Sequence, residues 1–228
     1  MLPTSRPSQM VPTATSVAAT ALFTVTLHLA GAAPAEDAVP TLPGFEGPLP
    51  SKHYSGYLPV GKETGEPGFL HYWLIESEGK PSEDPVTLWL NGGPGASSLV
   101  GLFTENGQVA SNVNSLNISN GSVPTLFYNP YSWSQVANVL YLEQPKGVGF
   151  SYCADPEKCS NTDETTAQDA YEGLVHFFTE KFPEWKEKDF YITGESYAGT
   201  YIPMIMDVAD KAGGLPNLKV GLGRIAVA

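Results

Sequence analysis

Apolar positions gather in short runs bounded by turn residues. His53 to Val60, Phe69 to Glu76 and Val86 to Leu90 alternate or run apolar, which predicts three strands, and the Gly61 to Gly68 turn region joins the first two as a hairpin. Asn138 to Leu142 is a compact apolar run closed by Gln144-Pro145 and reads as a buried strand. From Thr165 to Phe182 the period changes. Ala167, Ala170, Tyr171, Leu174, Phe177 and Phe178 recur at helical spacing, Thr165 and Gln168 offer a capping box, and Pro183 closes the far end. His176 falls off that stripe and is expected to face solvent. Phe190 to Thr193 reads as another short strand, Ala198 to about Ala212 as a helix, and the run from Leu218 as a last strand. A short helix is expected to start around Ser97.

Strand, helix, strand, helix, strand over the last third of the chain is the pattern of a parallel sheet with crossover helices. The expected class is α/β, with an antiparallel start preceding the parallel part, in one domain over residues 51–228. Residues 33–50 are Pro-rich and expected to be extended, with the ordered chain beginning near Lys52.

Composition supports a packed core: 42% of residues are hydrophobic and 11% aromatic. Twenty-three Gly and twenty Pro against 16% charged residues imply many tight turns. The net charge is −12 and the only arginines are Arg6 and Arg224, so nucleic-acid binding is excluded for want of a basic stripe. Ordinary solubility accounts for the acidic balance. No cofactor fingerprint or metal-ligand set appears.

Residues 1–32 have the layout of a signal peptide: Arg6, an apolar run from Val17 to Ala30, then small residues for cleavage, with position 35 as the alternative end. That run is too short and too interrupted to span a bilayer. Asn117 and Asn120 head two adjacent glycosylation sequons in a polar stretch. Cys153 and Cys159, the only cysteines, flank a turn-forming Pro, and a disulfide is the better reading than a metal site. Together these point to the secretory pathway, with an extracellular or vacuolar/lysosomal destination. Oligomeric state is not legible.

Gly194-Glu195-Ser196-Tyr197-Ala198 lies between an expected strand and an expected helix, where a nucleophile elbow requires it. The turn strains its central residue, and small residues two before and two after let the backbone pass. The helix N-terminus beneath the Ser196 hydroxyl favours a developing anion. Asn91-Gly92-Gly93-Pro94-Gly95 also joins a strand to a helix, so several amides can point into one pocket as an oxyanion loop. A phosphate loop would end in Gly-Lys-Ser/Thr, and this one does not.

The oxyanion loop, the elbow through Pro203, Leu142-Glu143-Gln144-Pro145 through Gly149-Phe150-Ser151-Tyr152, and Leu42-Pro43-Gly44 through Tyr57 together resemble the serine carboxypeptidases from about residue 40 onward. The resemblance implies an α/β-hydrolase fold, truncated after the elbow and the next strand, and release of C-terminal residues from peptides and proteins through an acyl-enzyme on Ser196. It implies an oxyanion hole of the Gly93 and Tyr197 amides. It also implies a site for the substrate's terminal carboxylate from Trp89, Asn91, Gly92 and Glu195, with Glu105 pairing Glu195 in a buried setting. One departure is Ala96, where the family usually has a bridged Cys. In this fold the triad runs Ser, Asp, His, whereas His28, His53, His71 and His176 all precede Ser196. The sequence therefore reads as a fragment without its general base, expected to be inactive alone. An acyltransferase of the same family would share these motifs, and a non-catalytic homologue with a binding or protective role is the reading from another class.

Overall fold

The computed structural model describes residues 33–115 and 123–224. The expected leader and the sequons at Asn117 and Asn120 lie outside the described residues. A 3-10 turn at Ala35–Asp37 leads into β1, Ala38–Val39, which pairs antiparallel with β2, His53–Val60. The chain thus joins the sheet before Lys52. Asp37 fastens this entry, accepting from Tyr72 Oη at 2.6 Å and Lys181 Nζ at 2.7 Å.

β2 and β3, Gly68–Ile75, form the expected hairpin, paired along their whole length. There follow β4 (Val86–Leu90), α1 (Leu99–Thr104), β5 (Val109–Ala110), β6 (Phe127–Tyr128), β7 (Asn138–Leu142), β8 (Tyr152–Cys153), α2 (Asp163–His176), β9 (Phe190–Glu195), α3 (Ala198–Lys211) and β10 (Leu218–Arg224). The main sheet has the order β1-β2-β3-β7-β4-β9-β10, with β8 added to β3. β7, β4, β9 and β10 are mutually parallel, while β1, β2, β3 and β8 are antiparallel to their neighbours. The sheet is therefore mixed, with a larger antiparallel share among the described residues than the sequence pattern implied. β5 and β6 make a small separate ladder that their two-residue lengths hid.

Side-chain alternation divides each central strand between two cores. Leu140 and Leu142 of β7, with Val86, Leu88 and Leu90 of β4, face one layer with Leu174 of α2 and Ile205 of α3. Val139 and Tyr141 of β7, with Trp89 of β4, face the other with Leu102 of α1. Strands buried on both faces read as continuous apolar runs, which is how β4 and β7 look in the sequence.

α2 differs from its expected form at both ends. It starts at Asp163, because the cap is Thr162, whose hydroxyl accepts from Thr165 N while Thr165 Oγ1 accepts from Thr162 N. The expected Thr165 and Gln168 pair does not cap; Gln168 sits inside the helix and donates to Glu172 at 3.4 Å. Beyond His176 the helix widens into a π turn, Phe177–Lys181. Phe177, Phe178 and Phe182 are all fully buried, and their rings pack on Tyr72, Phe190 and Trp185. The wider turn lets three aromatic residues so close in sequence face the core together. His176 is half-buried on the flank of α2 rather than solvent-facing, and this burial lowers its pKa.

Candidate active site

The parallel strands β4, β7 and β9 end at one edge of the sheet. Each delivers a segment there: Asn91 to Ser98 after β4, Glu143 to Ser151 after β7, and Ser196 after β9. The edge at the carboxyl ends of parallel strands is where α/β sheets bind ligands.

Ser196 stands between β9, two residues longer than expected, and α3, with φ of +54°. A left-handed backbone at a residue with a Cβ is costly and persists where its surroundings enforce it. The enforcement is local. A Cβ at Gly194 would strike the Leu90 carbonyl and lie 2.6 Å from the Ala198 Cβ, so only glycine lets the turn pass between β4 and α3. A Cβ at Gly92 would lie 2.9 Å from the Ser196 Cβ and closer still to the Tyr197 amide. The glycine loop is thus pressed directly against the elbow.

That loop is tied at several points. Asn91 N donates to Ser98 Oγ at 3.2 Å across its neck, and Ala96 N to Gly92 O at 3.0 Å. Gly95 N donates to Tyr201 Oη of α3 at 3.1 Å. Tyr197 Oη donates to both Asp163 oxygens, at 3.1 and 3.0 Å, and that bond raises the phenol pKa. Gly93 is exposed, with φ of +109°, a conformation that suits glycine.

Asn91, 3% exposed, is the hub of the site. Its Oδ1 accepts from Trp89 Nε1 at 2.9 Å and Gly101 N at 3.0 Å, which fixes the amide's orientation. Its Nδ2 then donates to Glu105 at 3.0 Å and Glu195 at 2.9 Å. The two carboxyls are therefore joined through an amide. Glu105 is exposed and Glu195 half-exposed, so the setting is more open than the expected buried pair, because Glu105 lies just past the end of α1.

The structure shows a second network that the sequence reading missed. Glu143, 1% exposed, accepts from His71 Nδ1 at 2.9 Å, from Phe150 N at 2.9 Å and from Ser97 Oγ. Burial alone would raise its pKa, but the bonds from His71, Ser97 and Phe150 hold it below the ordinary carboxylate value. The missed signal was a carboxylate between an apolar strand and a Pro. His53 and His71 are both buried structural residues, and His53 bonds Gln108 at 2.8 Å and Trp73 at 3.2 Å. Among the described residues no histidine is hydrogen-bonded to Ser196. The disulfide Cys153–Cys159 is formed and closes the loop beyond β8. No helix among the described residues is long and apolar enough to cross a membrane.

The family model described as serine carboxypeptidase matches residues 43–213. The chain is 44% identical over 200 residues to serine carboxypeptidase-like 20 of Arabidopsis thaliana, covering 86% of this chain and 39% of that protein. It is 44% identical over 194 residues to the lysosomal protective protein of Mus musculus, covering 84% and 38%. Among solved structures, the prohormone-processing carboxypeptidase Kex1(delta)p of Saccharomyces cerevisiae superposes with a TM-score of 0.68 at 25% identity, covering 84% of this chain and 43% of that one. The chain thus spans well under half the length of these relatives.

Proposed function

This chain belongs to the serine carboxypeptidase family and has its α/β-hydrolase fold, and on that premise we propose that the full-length protein releases C-terminal amino acids from peptides through an acyl-enzyme on Ser196. The observation that carries the reading is the packing of the Ser196 elbow against the glycine loop, beside the amide-bridged carboxyls of Glu105 and Glu195. Ser196 Oγ attacks the last peptide carbonyl, the amides of Gly93 and Tyr197 receive the charge that develops on its oxygen, and the C–N bond breaks as the serine proton passes to the departing amine. The leaving amino acid carries a free carboxylate, held by the Gly92 amide, by Asn91 Nδ2, which gives up one carboxyl partner to it, and by Glu195 in its protonated form, with Trp89 fixing Asn91 and Glu105 completing the pair. Water then hydrolyses the ester on Ser196.

Neither His53 nor His71 is available as the base, since each has both ring nitrogens engaged. The Cys153–Cys159 bridge supports the secretory pathway, and the name of the mouse relative favours a lysosomal or vacuolar destination. That name also favours a second reading, a protective role without catalysis. A serine-directed phosphonate separates the two. Modification of Ser196 in the full-length protein, together with release of C-terminal residues from a blocked dipeptide, is the expected result; an unmodified Ser196 would sink the enzymatic reading.

A further inference from the structure

The segment Glu143-Gln144-Pro145-Lys146-Gly147-Val148-Gly149-Phe150-Ser151 is one of the most distinctive stretches of the chain, yet none of it enters the reaction described above. Its geometry is that of a socket built around one carboxylate. Gly149, at φ of +57°, brings the chain back over Glu143 so closely that a Cβ there would overlap the carboxyl group. Phe150 N donates to Glu143 Oε2 at 2.9 Å, and Ser151 Oγ donates to the Glu143 carbonyl at 2.7 Å. Ser151 Oγ also accepts from His71 N at 2.8 Å, which locks the socket to β3. His71 Nδ1 reaches Oε2 at 2.9 Å, and its other nitrogen is held by Ser55 Oγ at 2.8 Å. His71 is walled by the rings of Tyr57 and Phe150, at 5.5 and 5.3 Å.

The chain of groups resembles a Ser, His and carboxylate relay, but Ser55 is not a second nucleophile. It sits in the middle of β2, paired with Trp73 in the ladder, with no turn to gather amides around an oxyanion. The relay points the other way. The free side of the carboxylate, Oε1, accepts the hydroxyl of Ser97, four residues after Gly93 in the glycine loop. Ser97 Oγ in turn accepts from Leu99 N at 3.1 Å, at the entry to α1. This is a tie from the loop to β7 through a buried, doubly supported side chain. The Asn91 and Ser98 neck and the Ala96 and Gly92 bond tie the loop to itself and the Tyr201 contact ties it to α3, whereas the Ser97 bond ties it to the segment after β7.

We propose that Ser97 and Glu143 are positioning residues for the reaction, with Glu143, oriented by His71, holding the glycine loop so that the Gly93 amide stays aimed at the developing oxyanion. The inference rests on the reading of Gly93 as an oxyanion donor. It accounts for a loop without a bridged cysteine at Ala96: a side-chain hydrogen bond to a rigid carboxylate secures the adjacent residue instead. Misplacing an oxyanion donor weakens binding of the transition state more than that of the substrate, so the effect falls on turnover.

The test uses the full-length protein with Ser97→Ala, Ser97→Thr and Glu143→Gln, measuring kcat and KM on a blocked dipeptide, the rate of phosphonate inactivation, and Tm. Ser97→Ala is expected to lower kcat and the phosphonate rate by the same factor, about 10-fold or more. KM should stay within about two-fold, Tm should change little, and Ser97→Thr, which keeps the hydroxyl, should recover most of the rate. Glu143→Gln should lie between wild type and Ser97→Ala, because its amide oxygen can take the place of Oε2 under Phe150 N and His71 while its NH2 donates to Ser97 Oγ in a weaker, uncharged tie. Unchanged kcat in Ser97→Ala would overturn the inference, as would a loss confined to KM or one that follows Tm and is not relieved by threonine. A wild-type protein that neither reacts at Ser196 nor releases residues would instead overturn the activity reading, and this inference with it.

Discussion

Glu195 Oε1 accepts from Asn91 Nδ2 at 2.9 Å, joining residues 104 positions apart. The bond ties the residue beside the nucleophile to the loop that faces it, and it leaves the Asn91 amide oriented by Trp89 and Gly101. Replacing Asn91 with Ala removes a donor between two carboxyls and frees both to repel a substrate carboxylate. The expected result is a KM for blocked dipeptides raised about 10- to 100-fold with a smaller change in kcat, a loss of roughly 1.4–2.7 kcal/mol of uniform binding. Peptides amidated at the C-terminus should lose far less. Equal losses for acid and amide substrates would remove Asn91 from the carboxylate site.

Ser196 is held at φ of +54° by neighbours that leave no alternative. Glycine reaches that conformation without a Cβ penalty, whereas alanine retains it. Both Ser196→Gly and Ser196→Ala should abolish phosphonate labelling, but Ser196→Gly should be the more stable of the two by about 1 kcal/mol, read as a higher urea midpoint. A lower midpoint for Ser196→Gly than for Ser196→Ala, which the larger unfolded-chain entropy of glycine dictates at an unstrained position, would mean that the turn is not strained at this residue.

Much of this was legible in the chain because it is written in local terms. β4, β7 and β9 are apolar runs bounded by turns, and the elbow is announced by glycine at the position where a Cβ would collide and by the small alanine that faces it. The grouping of Trp89, Asn91, Glu105 and Glu195 came from resemblance, and only three-dimensional geometry shows Asn91 as the donor that links the carboxyls. The start of α2 was misplaced because Thr162 and Thr165 cap each other hydroxyl to amide, a pairing with no Glu or Gln to mark it. His71 and Glu143 were missed for a different reason. They lie 72 positions apart, and nothing local to either residue states that the other exists.

His53 makes acid stability testable. Its Nδ1 accepts from Trp73 Nε1 at 3.2 Å, so its Nε2 carries the proton donated to Gln108 Oε1 at 2.8 Å. A second proton on Nδ1 would set two donors face to face. Burial lowers the His53 pKa below 6.5, outweighing the Gln108 bond and the charge of Glu78, which act to raise it. The unfolded chain therefore binds a proton near pH 6.5 that the folded chain refuses. The stability from neutral His53 is complete above that pH and is lost as pH falls from 6.5 towards the lowered folded value. His53→Gln can keep both bonds without titrating, so its urea midpoint should fall less between pH 7 and pH 5 than that of wild type. Parallel pH profiles would show that His53 does not set this slope.

Lys146 and Asp169 form an ion pair at 3.0 Å with side chains 0% and 1% exposed. Lys146 Nζ also donates to Glu66 O at 2.5 Å, and Thr64 Oγ1 donates to Asp169 at 3.3 Å. The pair thus clamps the turn between β2 and β3 to α2 and to the segment that carries Glu143. Gly68 makes room for it, since a Cβ there would lie 2.6 Å from Lys146 Cδ. Desolvating two charges offsets much of their attraction, so the pair adds little net stability over an apolar equivalent, whereas losing one partner strands the other. Lys146→Met should cost about 3–5 kcal/mol by leaving Asp169 buried without its cation. The double substitution Lys146→Met with Asp169→Leu should recover most of that loss in urea unfolding, because no charge remains to be compensated. A double variant as unstable as Lys146→Met alone would show that the Lys146 bond to Glu66 O, lost in both variants, matters more than the stranded charge.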